Sequence, residues 1–142
     1  MHGEPVMWSF VSDAPSFVQL VMLMSCVVMG LSHIVRPQMW ADYFAALHAE
    51  GTRGVITRTF TLELWAALLI VSLHQVWQGP AIVVTIYGWL LLAKVTVSML
   101  VPELGLRSLA MASQGSRAFV FAGCVLLGIA ACAGAALFSP NP

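Results

Sequence analysis

Charge is what this sequence has least of. Lys, Arg, Asp and Glu make up only 8% of the 142 residues, six basic and six acidic, where an ordinary soluble domain carries about a quarter. With 60% apolar residues and a mean hydropathy of +0.90, the chain is built for lipid rather than water. A net charge of zero leaves no basic face to neutralise phosphates, which argues against nucleic acid as a partner. There are three cysteines, Cys26, Cys124 and Cys132, all inside apolar segments. With no CxxC spacing and no histidine cluster beside them, they predict small packing residues rather than a metal site. Also missing are GxSxG, HExxH, a P-loop and paired carboxylates at catalytic spacing, so neither catalysis nor a cofactor is expected. The first 15 residues hold no Lys or Arg and lack the positive region of a secretory leader, so the first apolar stretch is expected to be retained.

What is present is four apolar runs, Ser16 to Val35, Ile56 to Trp77, Ala81 to Val101 and Ala118 to Phe138. Each matches the roughly 20 residues that a helix needs to cross a bilayer. Helix is dictated here, because unpaired backbone groups in lipid cost several kcal/mol each and the runs lack the alternation of a barrel. The expected fold is an all-α membrane protein of four transmembrane helices in one domain spanning residues 1–142. Gln78-Gly79-Pro80 is a tight turn that makes the second and third helices antiparallel neighbours. In Arg36 to Gly51, Met39, Trp40, Tyr43, Phe44 and Leu47 recur at helical spacing against Asp42, His48 and Glu50, which predicts an amphipathic helix at the headgroups.

A shift of about 65 positions aligns Pro37 with Pro102, Ala45 with Ala110, Gly51 with Gly115 and Arg53 with Arg117. This predicts two tandem helix-pair repeats of the same topology, about 16–78 and 81–138. Five of the six basic residues, Arg36, Arg53, Arg58, Arg107 and Arg117, fall at the first and third connections. The positive-inside rule then puts those connections in the cytoplasm and both termini on the periplasmic side of a bacterial inner membrane.

Glu63 and Lys94 are the charges most deeply placed in apolar sequence. Each lies about seven residues from the inner end of its run, about 10 Å deep at 1.5 Å per residue. Such charges either pair across adjacent helices or line a hydrated path. Arg58 is close enough to compensate Glu63. His33 and His74 sit at opposite ends of the membrane, which rules out a shared haem or metal and predicts two interfacial hydrogen-bonding residues. His74, with Trp77 and Trp89 nearby, is also a candidate contact for a quinone or lipid headgroup. Gly123, Gly128, Cys132 and Gly134 give the fourth helix a close-packing face whose internal mate is expected to be the first helix.

His74-Gln-Val-Trp77, then Gly88-Trp89, Lys94 and Pro102, resemble a group of small bacterial four-helix integral membrane proteins that carry His-x-x-Trp, a short turn, Gly-Trp and a later Lys. The resemblance covers roughly residues 60–105 and implies a fold without an activity. Gln75 stands where that group usually has Asn, and the Gly usual after the Lys is absent. Gly30-Leu-Ser-His33-Ile-Val-Arg-Pro37 and Glu63 are similar, more faintly, to DoxX-like four-helix proteins. Together these features predict a small structural or accessory membrane subunit whose partners are the bilayer and other membrane subunits or a second copy of itself. The alternatives are a small oligomeric ion or solute transporter using Glu63 and Lys94, and a quinone- or redox-linked protein.

Overall fold

A computed structural model describes residues 13–139 of the chain; the first 12 residues, on which the reading of the leader mostly rests, lie outside them. Among the described residues the fold is all-helical, with six helices: α1 (Ala14–Val35), α2 (Pro37–Ala49), α3 (Thr52–Leu73), α4 (Ala81–Leu100), α5 (Pro102–Ser113) and α6 (Ser116–Phe138). Four of them, α1, α3, α4 and α6, are long and apolar enough to cross a membrane, and the chain is a multi-pass membrane protein by this measure.

Local sequence explains where each helix begins and ends. Asp13 caps α1 by accepting from the Ser16 N–H at 2.9 Å, satisfying one of the free donors of the first turn. Pro37 and Pro102 open the short helices α2 and α5 at a first-turn position, where the missing N–H costs nothing. Arg36 and Val101, the residues before those prolines, leave the helical region at φ −128° and −130°, as steric conflict with a following proline requires. Gly51, between α2 and α3, has φ +64°, a conformation that other L-residues rarely adopt.

The second span departs from the boundaries read in the sequence. It starts at Thr52 rather than Ile56 and ends at Leu73 rather than Trp77. His74 leaves the helix at φ −128°, and the stretch from His74 to Trp77 is a non-helical connection. Apolar composition alone does not distinguish a helix from an apolar strap lying against one. Glu63 therefore lies eleven residues from the first residue of its helix, not seven.

The spanning helices pack through small residues, since lipid provides no hydrophobic drive for helices to associate. α1 lies along α6, and a Cβ on Gly30 would sit 2.9 Å from the Gly123 carbonyl oxygen, while one on Gly123 would sit 2.7 Å from that of Gly30. α3 lies against α4, where Gly88 leaves room for the Ile70 side chain. The core between these pairs is Val18, Met22, Cys26, Ile70, Val84, Ile129, Ala130 and Ala133. A second, smaller cluster of Leu47, Val55 and Leu109 joins α2, α3 and α5 at one end of the bundle.

Candidate functional site

The polar groups inside the bundle fall into two clusters, one towards each end. Towards the end bearing α2 and α5, Arg58 of α3 is fully enclosed. Its two terminal nitrogens donate to Ser108 of α5 and Ser98 of α4, each at 3.3 Å. Its Nε lies 3.6 Å from Glu63 Oε1, too long for a hydrogen bond but close for opposite charges. The same Oε1 accepts from Lys94 Nζ of α4 at 2.5 Å. Three charges and two hydroxyls thus tie α3, α4 and α5 together. Glu63 is 92% buried (8% exposed), whereas the Lys94 side chain is 46% exposed and snorkels from the bundle surface to reach it.

Glu63 belongs to a feature that the sequence did not reveal. From Thr59 to Leu64 the helix α3 is wound as a π-helix between two α-helical stretches. Such turns are rare and recur at functional sites. Thr-Phe-Thr-Leu-Glu-Leu carries no proline or glycine to signal it.

Beside this cluster a cavity of about 780 Å³ lies between α1 and α3. α1 is held against α6 and α3 against α4, so the two walls are kept apart. Met22, Met29, Leu69 and Leu126 make it apolar over most of its length, and Glu63, His33 and Trp40 line it at one end. His33 is buried, with Nδ1 donating to the Met29 carbonyl at 2.7 Å. Its ring stacks on Trp40, centroids 4.3 Å apart and planes within 18°.

The other cluster joins α1, α4 and the strap after α3. His74 is fully buried; Nδ1 is 2.9 Å from Thr85 Oγ1 and Nε2 is 3.2 Å from Gln19 Nε2. Thr85 gives its only hydroxyl proton to the Val76 carbonyl at 2.7 Å, so it accepts from His74 Nδ1–H. Nε2 then accepts from the Gln19 amide. Burial lowers the His74 pKa, with the neighbouring Asp13 opposing part of the effect.

Both His74 and His33 are buried and hydrogen-bonded within the protein. With both ring nitrogens engaged inside the protein, His74 offers none to a quinone or headgroup. Trp77 and Trp89 are 54% and 45% exposed and take no part in either cluster.

The small residues of α6 also separate. Gly123 faces α1, while nothing lies within 4 Å of a Cβ on Gly128, and one on Gly134 would meet only ordinary contacts at 3.5 Å and beyond. Gly128 is thus not an internal packing position. Cys26 is buried as a packing residue, but Cys132 is half-buried and Cys124 is exposed. Alignment of small residues could have revealed this second face, at Cys124, Gly128, Ala131 and Ala135, had it been split from the Gly123 face by helical angle.

No family model, no curated protein and no solved structure matches the chain.

Proposed function

We propose that the protein is a small accessory subunit of a membrane assembly, joined to a neighbouring transmembrane helix through the outward face of α6. The observation that carries this reading is the stripe Cys124, Gly128, Ala131 and Ala135, all exposed and spaced by four, three and four residues. That spacing keeps them on one side of a helix, and small residues on such a side let another backbone approach closely. Internal use of the charges supports the same reading, since Arg58, Glu63 and Lys94 brace α3, α4 and α5 against one another.

The bundle is, in this reading, two tandem units, α1–α2–α3 and α4–α5–α6, related by a pseudo-twofold axis along the membrane normal. Support comes from their shared order: a spanning helix, a break before proline, a short helix and a second spanning helix. The arginines gathered at the ends bearing α2 and α5 support, by the positive-inside rule, a cytoplasmic location for that side in a bacterial inner membrane, with both termini periplasmic.

Native mass measurement after solubilisation in mild detergent tests the proposal, with Gly128→Leu alongside the wild type. The wild type is expected to travel with a partner subunit or a second copy, and the variant to be recovered alone with unchanged helix content. A wild type recovered only as a 15.3 kDa monomer, or a variant that keeps its partner, overturns it.

A second reading, an ion or solute path through Glu63 and Lys94, is favoured by the presence of Glu63 on the cavity wall. Flux into liposomes that is lost in Glu63→Gln while the fold is retained would replace the accessory reading.

A further inference from the structure

We propose that the cavity between α1 and α3 binds a single-tailed amphiphile with a hydroxyl head, drawn from the bilayer, whose hydroxyl donates to Glu63 beside the His33 ring.

Size selects the class of occupant. The lining runs from Val21 to His33 on α1 and from Leu62 to Leu73 on α3, a length of roughly 17 Å at 1.5 Å per residue. The cavity holds about 780 Å³ over that length. An elongated, mostly apolar space of this volume accommodates an extended alkyl or isoprenoid tail. Entry is from the side: Trp65 and Leu68 line the cavity and are 60% and 40% exposed, so its mouth lies on the face that meets lipid.

The head is selected by hydrogen bonding. Glu63 Oε2 is buried and has no hydrogen-bond partner among the described residues, its twin Oε1 being taken by Lys94. A carboxylate only accepts. At the same end of the cavity stands His33, whose Nδ1–H is already given to Met29. A carbonyl, ester or ether head brings no donor to Glu63, and an anionic head would face a carboxylate. A hydroxyl supplies the donor, and the stacked His33 and Trp40 rings offer a flat wall suited to a phenol. The π-helical turn that carries Glu63 is an independent mark of a functional site.

The test uses the full chain in lipid nanodiscs and a bromine-substituted decylphenol as probe, which quenches the fluorescence of Trp40 and Trp65 on the wall. Its O-methyl ether keeps the shape and cannot donate. Saturable quenching by the phenol is expected, with at least tenfold weaker binding of the ether and of decanoate. Ala66→Phe, which fills the cavity from α3, is expected to abolish saturation while leaving the thermal midpoint near that of the wild type. Equal binding of phenol and ether overturns the hydroxyl head, and saturable quenching that survives Ala66→Phe overturns the site. Should Ala66→Phe fail to fold, the phenol-to-ether ratio in the wild type still decides the proposal.

Discussion

Arg58 and Glu63 stand five positions apart on one helix, and yet Nε of one lies 3.6 Å from Oε1 of the other. In an α-helix of 3.6 residues per turn, residues five apart diverge by about 140° around the axis. The i→i+5 winding of a π-helix brings them one turn apart instead. The π-helical segment from Thr59 to Leu64 is thus what assembles the charge cluster.

Removing one residue from that segment sets Arg58 and Glu63 four positions apart, a spacing that an α-helix keeps on one face, so the π turn is no longer needed to pair them. Deletion of Thr61, an exposed position, is therefore predicted to be tolerated, with a thermal midpoint in detergent close to that of the wild type. Thr61→Ala, which keeps the residue count, is predicted to change stability by no more than about 0.5 kcal/mol, as surface substitutions do. A sharp loss of stability in the deletion alone would show that the π winding does more than bring Arg58 to Glu63.

The three charges are unequally placed. Glu63→Gln leaves the enclosed Arg58 without its anion, and removing one partner of a buried pair costs about 3–5 kcal/mol. Lys94→Gln removes a half-exposed cation, worth about 1 kcal/mol or less. Adding Arg58→Met to Glu63→Gln is predicted to recover much of the loss, because no buried charge then remains unpaired. Reversible unfolding in mixed detergent micelles ranks these variants, and Lys94→Gln proving as costly as Glu63→Gln would refute the ranking.

The sequence was most readable where bulk solvation decides the outcome. Four spans, the proline-opened short helices and the Gly79 turn follow from hydropathy and backbone chemistry, which are local properties. The π turn was hidden because Thr-Phe-Thr-Leu-Glu-Leu suits α-helix equally well, and nothing local in it distinguishes the two windings. The partner of His74 was equally hidden, because Gln19 is 55 residues away and no pattern links them. The cavity was equally illegible, for it arises from the spacing of α1 and α3, each held by a different neighbour.

His74 makes stability depend on pH. Burial lowers its pKa from the ordinary 6.5, so the folded state favours the neutral ring. The stabilisation is complete well above pH 6.5 and is lost as pH falls below it, because the unfolded chain takes up the proton more readily. Protonation would also set Nε2–H against the donor amide of Gln19. The thermal midpoint is predicted to drop between pH 8 and pH 5 in the wild type and to drop less in His74→Asn. A parallel fall in both would exclude His74 as the source.

Glycine positions on α1 and α6 separate internal packing from the outward face. Gly30→Ala and Gly123→Ala each drive a methyl group to within 3 Å of a carbonyl oxygen on the facing helix, and overpacking of this kind costs about 1–3 kcal/mol. Gly128→Ala meets nothing within 4 Å and is predicted to leave monomer stability unchanged or slightly raised. Comparison of the three unfolding midpoints checks this, and destabilisation by Gly128→Ala similar to that by Gly123→Ala would place the outward face inside the bundle.

Cys124 provides the most direct test of association through α6, being a native thiol on the exposed stripe. Membranes bearing the Cys132→Ser protein would be treated with a membrane-permeant bis-maleimide and compared with Cys124→Ser. Association through this face predicts a cross-linked product, at twice the chain mass for a second copy or larger for a distinct subunit, that disappears in Cys124→Ser. A Cys124 that is fully alkylated as a monomer, with no product above 15.3 kDa, would contradict the account.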